Sequence, residues 1–409
     1  MSISSHKSTN ENQQSSKFLE FIIYLLFLFG PLTGNIIMVL FQVLSDEFTV
    51  LPNAILIAIP AFMFPFAITQ LFSGAISDIK GRFPVLIIGL ILFGVAMLLA
   101  ALSTSLVMFS IANILGGIGF GLINPVLIAL ITDITSPSNI PKKMGFLGAS
   151  ANLGVGLGPL IASQMIKIGW RSIYIVFVII VVIGLTFFIT TKRPPQKIPD
   201  NPGLKILFSQ LSKELRRFVV VLMVFSAFLI SHTYLAITIW TSKELSATGS
   251  ESLIGVVLGI AGVGAAITGI LAGNIIKKRG IRYPLVFGII LLFLSLGILI
   301  VIGDITKTEV FFTLAISWIL SGLAGGILFP SIMYYSQVLS PERRGVLAGL
   351  VTAGYFTGIA LVPTTLAPIS DMFGITGVYT LILGISFLFT LILILLYKLA
   401  KRIIIEEGV

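Results

Sequence analysis

NILGGIGFGLINP, from Asn113 to Pro125, and WILSGLAGGILFP, from Trp318 to Pro330, carry one pattern twice. Gly117, Gly121 and Pro125 fall on Gly322, Gly326 and Pro330 at one constant offset of 205. The loops that follow also correspond, TSPSNIPKKMG (135–145) against LSPERRG (339–345). A second pair of loops repeats earlier in each half, GAISDIKGRFP (74–84) against GNIIKKRGIRYP (273–284). Chance can supply one glycine match. Three positions with their loops make a duplicated unit in parallel orientation.

The surroundings say what was duplicated. Of 409 residues, 56% are hydrophobic and 10% charged, and the mean hydropathy is +1.09. A soluble chain carries about 25% charged residues, so this is an integral membrane protein. A helix needs roughly 20 apolar residues to cross the hydrocarbon core. Twelve such runs occur, at 18–44, 51–73, 84–104, 106–131, 145–166, 172–191, 218–240, 252–276, 284–303, 310–337, 345–369 and 378–397. A spanning backbone must satisfy its own hydrogen bonds, and the short alternating segments of a membrane barrel are absent, so the spans are helices. The expected fold is all-α, two repeated six-helix bundles at 18–191 and 218–397.

Residues 1–17 are polar and expected to be disordered, and no cleavable secretory signal follows them. Residues 398–409 form a second tail. One set of loops and tails holds 22 of the 26 basic residues; the other holds only Lys167, Arg171, Lys243 and Lys307. That bias puts both termini in the cytoplasm, the chain being a multi-pass protein of the cell membrane. The linker at 192–217 begins Pro-rich. It then repeats Leu204, Leu207, Phe208, Leu211 and Leu215 at helical spacing, which predicts an amphipathic helix on the inner membrane surface. It is too short for an ATPase domain, and no phosphate loop occurs. The net charge of +10 lies between apolar runs, which excludes a nucleic-acid partner. Zero Cys and two His leave no basis for a metal, and no cofactor is expected.

Three motifs give the chain a family. The loop after span 2 holds Gly74, Asp78, Gly81 and Arg82; span 5 holds Gly154, Gly158 and Pro159; Gly169 to Arg171 read GWR. With the duplicated spans, these resemble the major facilitator superfamily, and specifically its drug-exporter branch, over residues 18–397. Two departures stand out. Ala162 and Ser163 occupy positions where the exporter motif has glycines, and the second-half loop has basic residues where the acid would lie. The resemblance implies alternating access and proton antiport.

Physically, Gly81 permits a tight turn, and Asp78 beside Lys80 and Arg82 can pair with a cation or a helix N-terminus to latch one conformation. The plainer alternative is a hairpin with positive-inside charges. Gly154 and Gly158 sit one turn apart, so a neighbour can approach closely. Span 8 carries Gly255, Gly259, Gly262, Ala266, Gly269 and Gly273 on one face. Spans 5 and 8 are expected to meet across the halves and gate by sliding or rocking; the alternative is static packing within one half.

None of the 16 acidic residues lies near the middle of a span, although intramembrane charges usually mark proton relays. The resemblance implies an acid in span 1 and an Arg in span 4; the closest positions here are Asn35 and Asn113. Those amides would bind substrate, or each other, or only hold helices together. His232, about 21 Å along span 7, is the one titratable group inside a span. Its alternatives are proton exchange and an interhelical hydrogen bond. Asp133, Asp46 and Glu47 are the remaining proton-coupling candidates. Gln42, Asn124, Tyr234, Trp318 and Tyr355 complete the candidate substrate-binding set; Tyr334, Tyr335 and Trp240 are further wall candidates, Trp240 having interfacial belt as its alternative.

The reading is therefore an exporter of small amphipathic molecules, monomeric, in a lipid bilayer, with protons as a coupling partner. Its rival is a proton-independent facilitator or importer of a neutral polar solute such as a sugar. A membrane enzyme would need clustered His, Asp or Glu at one depth, and no such cluster is present.

Overall fold

The computed structural model describes residues 2–136, 139–191, 203–246, 248, 250–302, 311–339 and 343–407, and no strand occurs among them. The first half comprises α1 (Ser2–Asn35), two short helices α2 (Phe41–Phe48) and α3 (Pro52–Ile55), then α4 (Ala58–Lys80), α5 (Arg82–Ala101), α6 (Leu106–Asp133), α7 (Ile140–Met165) and α8 (Arg171–Thr190). A linker helix α9 (Leu204–Leu215) leads to α10 (Phe218–Ser246), α11 (Glu251–Arg279), α12 (Arg282–Ile302), α13 (Phe311–Val338) and α14 (Arg344–Glu407). The Pro-rich start of the linker falls outside the described residues.

Eleven helical segments are long and apolar enough to cross a membrane, the last being 60 residues from Arg344 to Ile403. An unbroken helix of that length would reach about 90 Å, three times the hydrocarbon thickness. Gly374, at φ 63° and ψ −167°, breaks it into two crossings, which makes twelve. The whole reversal expected at 370–377 is concentrated in one residue, because glycine alone enters that region without a Cβ clash.

Three boundaries differ from expectation. Helix α1 extends back to Ser2, through the polar segment expected to be disordered; that segment has no Gly or Pro, and extending a nucleated helix costs little. The first span is not one helix to residue 44. It stops at Asn35, passes through a buried 3₁₀ turn at Ile36–Val39 and resumes as α2. At the far end, helix continues through the expected tail to Glu407.

The duplication reappears in the packing. Helices α6 and α13 start and stop at the same 205 offset as their glycines. A Cβ on Gly117 would lie 2.2 Å from the Phe62 carbonyl oxygen of α4, and one on Gly326 would lie 2.4 Å from the Ala265 oxygen of α11. Gly121 likewise abuts Thr69 and Phe66, and Gly322 abuts Ala261. Gly154 and Gly158 press on the Leu28 and Leu32 oxygens of α1, just as Gly354 and Gly358 of α14 press on Val224 and Phe228 of α10. Gly81 (φ 95°) and Gly280 (φ 85°) end α4 and α11 with the same positive-φ turn. Each half thus repeats two backbone-on-backbone contacts that only glycine allows.

Between the halves, α7 packs on α11 and α4 on the first part of α14. The face carrying α9 and the turns at Gly81 and Gly280 is here termed the linker face. Contacts across the halves run from mid-membrane to the opposite face. Gly156 meets Gly262 and Ser163 meets Gly255; Gln164 Nε2 donates to Ser252 Oγ (3.0 Å) and Asn53 Nδ2 to Asp371 Oδ1 (3.3 Å). Toward the linker face, Cβ atoms on Gly148 of α7 and Gly273 of α11 would meet nothing within 4 Å. The α7–α11 seam is thus tight from mid-membrane to the opposite face and loose at Gly148 and Gly273, while α4 and α14 still meet at Leu71 and Gly349.

Candidate substrate pathway

The second half lines its interior with hydroxyl and imidazole groups tied across α10 and α14. Ser231 Oγ donates to the Tyr355 carbonyl (2.6 Å), and the Tyr234 and Tyr355 hydroxyls share a 2.6 Å hydrogen bond. Ser321 Oγ of α13 donates to the Tyr234 carbonyl (3.2 Å). His232 stacks on Phe228 (5.7 Å, 7°), with Nδ1 2.9 Å from the Gly358 carbonyl oxygen and Nε2 3.0 Å from Thr365 Oγ1. A carbonyl only accepts, so Nδ1 carries the proton and Nε2 accepts from Thr365. Buried polar groups in lipid need such partners. The arrangement is the interhelical hydrogen bond that was one of the two readings of this histidine.

The first half is aromatic instead. Phe66 of α4 packs on Phe120 of α6 (5.5 Å) and, across the halves, on Phe356 of α14 (4.4 Å). The two amides do not meet. Asn35 Nδ2 donates to the Pro31 carbonyl (2.6 Å) and Asn113 Nδ2 to the Phe109 carbonyl (2.9 Å), each one turn back on its own helix. Their short side chains reach that carbonyl more easily than a neighbouring helix. Gln42 donates to Asp46 Oδ1 (2.8 Å) on α2, at the opposite face, and so stands apart from mid-membrane. Asn124 is half-buried on α6.

Seven buried side-chain atoms among the described residues lack a hydrogen-bond partner, Trp318 Nε1, Tyr335 Oη and Gln70 Nε2 among them. Gln70 escaped the sequence reading. Its signal was available, one amide in an apolar span four residues beyond Phe66 and thus on the same face of α4. Trp240, either a wall candidate or interfacial belt by its sequence, is fully buried with its Nε1 also unpartnered. Depth along a span does not reveal rotation about it, and α10 turns this end toward the first half's 3₁₀ turn and α2.

The acidic candidates are all engaged. Arg82 is buried, pairs with Asp78, donates to Ser77 Oγ (2.6 Å) and reaches Asp133 Oδ2 (3.2 Å). The ends of α4, α5 and α6 are thereby tied within one half. Gly74, on the same stretch, has open space around it. Asp46 is exposed beside Gln42. Glu47 accepts from Arg171 (2.7 Å) and Trp170 (3.4 Å) of the GWR turn, which holds its carboxyl below the usual range.

Spans 5 and 8 do meet, but not through Gly154 and Gly158, which serve α1. The α7 face turned to α11 is Asn152, Gly156, Leu160 and Ser163. On α11, Gly255, Gly259 and Gly262 take this contact, Gly269 lies against Gly326 and Asn152, and Gly273 is open. Pro159 contributes its carbonyl oxygen beside Gly255.

Twelve crossings in two repeats, parting toward one face around a mixed aromatic and hydroxyl interior, define a membrane transporter, not an enzyme. The family model described as Major Facilitator Superfamily matches residues 23–309 and 221–403, and the chain belongs to that family. It is 24% identical over 296 residues to "Multidrug resistance protein 1" of Bacillus subtilis, covering 70% of this chain and 73% of that one. It is 27% identical over 290 residues to "Tetracycline resistance protein, class B" of Escherichia coli, covering 68% and 70%. Among solved structures, the xylose transporter XylE from E. coli in a partially occluded inward open conformation superposes with a TM-score of 0.72 at 15% identity, over 92% of this chain and 97% of that one. At that identity the likeness concerns the fold alone.

Proposed function

We propose that the protein exports small amphipathic organic molecules across the cell membrane by alternating access, with both termini and the linker face in the cytoplasm. The observation that carries this reading is the asymmetry between the faces. Gly156 on Gly262 and Gln164 on Ser252 close one end, while Gly148 and Gly273 stand free toward the other. In this reading cargo is taken up beside the Phe66, Phe356 and Tyr355 rings, where ring faces and a hydroxyl are present without a charge. Such a surface suits lipophilic cargo. The resistance proteins to which the chain is similar support export.

Coupling to protons, with His232 as the exchanging group, is part of the proposal. Thr365 can turn its hydroxyl to accept from a charged ring, since Leu361 offers it an alternative acceptor at 2.9 Å. A second reading, a proton-independent facilitator of neutral solutes, is favoured by one observation. His232 is already satisfied by uncharged partners on both nitrogens.

Purified protein in liposomes with an imposed pH gradient tests both. Flux of a lipophilic dye cation should accompany release of lumenal protons, and His232→Ala should uncouple the two. Dye flux without proton flux would select the facilitator. No flux of any dye would remove the amphipathic-cargo reading.

A further inference from the structure

The linker helix α9 contains the most completely buried acid of the described residues. Glu214 is 1% exposed. Its Oε2 accepts from Arg217 Nη1 (2.9 Å) and its Oε1 from Arg343 Nη1, and Arg217 Nη2 donates to the Leu339 carbonyl (3.2 Å). In the first half, acids from α4 and α6 gather around Arg82. The second-half loop has only basic residues at the matching place, and the described Lys277, Lys278, Arg279 and Arg282 are exposed there. The second half instead receives its acid from the linker. A buried carboxylate with two guanidinium partners fixes position firmly, because losing either partner leaves a desolvated charge. Thus α9 is held to the second half, by covalent continuity with α10 and by Glu214.

Its other end reaches the first half. The Phe208 ring lies 5.4 Å from the Phe72 ring of α4, and α9 packs on both α4 and α14. The helix therefore crosses the seam between the halves at the linker face, beside the α4–α14 contact. The amphipathic pattern points to the inner membrane surface, and α9 in addition packs on both halves.

We propose that α9 is a strap carried by the second half, anchored by Glu214, whose Phe208–Phe72 contact holds the linker-face-open conformation. Glu214 is a positioning residue acting through Phe208. The proposal rests on the rocking of halves put forward above. Rocking that closes the linker face must shift α4 against α14, and hence break or slide the one aromatic contact by which the strap touches α4.

The native chain has no cysteine, so reporters can be placed freely. Ser252→Cys, at the opposite-face contact with Gln164, reports opening of that face through its labelling rate with a membrane-impermeant maleimide in liposomes. Phe208→Ala and Phe72→Ala should each raise that rate about two- to tenfold, the range one aromatic pair carries, and the double variant should add nothing. Glu214→Gln should raise it equally and lose its effect in the Phe208→Ala background. A thiol-reactive bridge between Phe72→Cys and Phe208→Cys should lower the rate, with recovery on reduction. Unchanged labelling in Phe208→Ala and in the bridged protein would overturn the strap. Rocking itself is tested separately by bridging Gln164→Cys to Ser252→Cys. If that bridge stops dye flux while the strap variants change nothing, the transport reading stands and the strap falls. If it does not, both fall.

Discussion

The two halves share a scaffold and differ in what they hang on it. Gly117 and Gly121 against α4 are repeated by Gly322 and Gly326 against α11, and Gly154 and Gly158 against α1 by Gly354 and Gly358 against α10. Most of those contacts are made to backbone atoms, which cannot give way to a side chain, and both copies retain them. The side chains between them are under no such constraint. Where the first half has Asn113, the second has Trp318 at the same offset. Where α1 carries an amide bonded to its own helix, α10 carries Ser231, His232 and Tyr234 bonded to α14. Close backbone approach is what duplication preserves, and interior chemistry is where the copies part.

The sharpest way to break this comparison is to fill the shared contacts. Gly117→Val and Gly326→Val place a side chain where a Cβ alone would sit 2.2 and 2.4 Å from a carbonyl oxygen. Each should cost about 3 kcal/mol, the upper end for overpacking, read as a lower midpoint of thermal unfolding in detergent. Gly148→Ala, in open space on α7, should cost nothing and gain up to about 1 kcal/mol in helix propensity. Equal tolerance at all three sites would mean that the repeat is not held by these contacts.

Unpartnered interior atoms come next. Gln70 Nε2 is buried without a hydrogen bond, a cost of about 1–3 kcal/mol. Gln70→Leu should raise the unfolding midpoint while weakening dye binding, measured by fluorescence titration. A variant more stable and equally avid would remove Gln70 from the pathway. The Tyr234 and Tyr355 hydroxyls of the second half are paired with each other, and there the effect has the opposite sign. Tyr355→Phe and Tyr234→Phe each break a 2.6 Å hydroxyl pair and should each cost about 1 kcal/mol. The double variant should cost little more than either single one. Additive losses would show that the two hydroxyls act independently.

Much of this organisation was legible in the sequence, and the missing part has a physical cause. Twelve crossings and the repeat follow from composition and spacing, which depend only on residues near one another in the chain. The pairing of faces does not. The spacing of Gly154 and Gly158 reads as a close-packing face, but the neighbour beside them is α1, while Gly156, between them, meets α11. Helical periodicity says which residues share a face and is silent on which helix the face meets. The same gap explains Trp240, either wall or interfacial belt by its sequence and found buried, and the pairing of Asn35 with Asn113, two amides that each satisfy themselves locally. Glu214 was unreadable for another reason. It sits in a linker whose amphipathic pattern is met equally well by a membrane surface and by a protein seam.

The smallest expected effect concerns the opposite face, where the halves again solve one problem differently. Each ends with a cation over a Trp ring beside a glutamate. Arg171 lies 4.4 Å from the Trp170 ring and 2.7 Å from Glu47; Lys243 lies 5.4 Å from the Trp240 ring and 2.7 Å from Glu244. The first trio is partly open to solvent, with 36% side-chain exposure on both charged groups, whereas Lys243 is buried to 9%. Solvent screening keeps the first pair weak. Its pH signature is nonetheless definite in sign. The Glu47 carboxyl is held below its ordinary range by Arg171 and Trp170, so its contribution is present above the unfolded-state value. It is lost as pH falls through the lower folded-state value. Glu47→Gln should therefore melt slightly earlier than the native protein at pH 7, and the two curves should converge between about pH 5 and pH 3. Lys243→Met should lower the midpoint more than Arg171→Met, because Lys243 is 9% exposed against 36% for Arg171 and its contact with half-buried Glu244 is less screened by solvent. Curves for Glu47→Gln that stay parallel to the native protein down to pH 3 would detach the GWR turn from α2. They would leave the buried trio as the only charged tie at this face among the described residues that matters to folding.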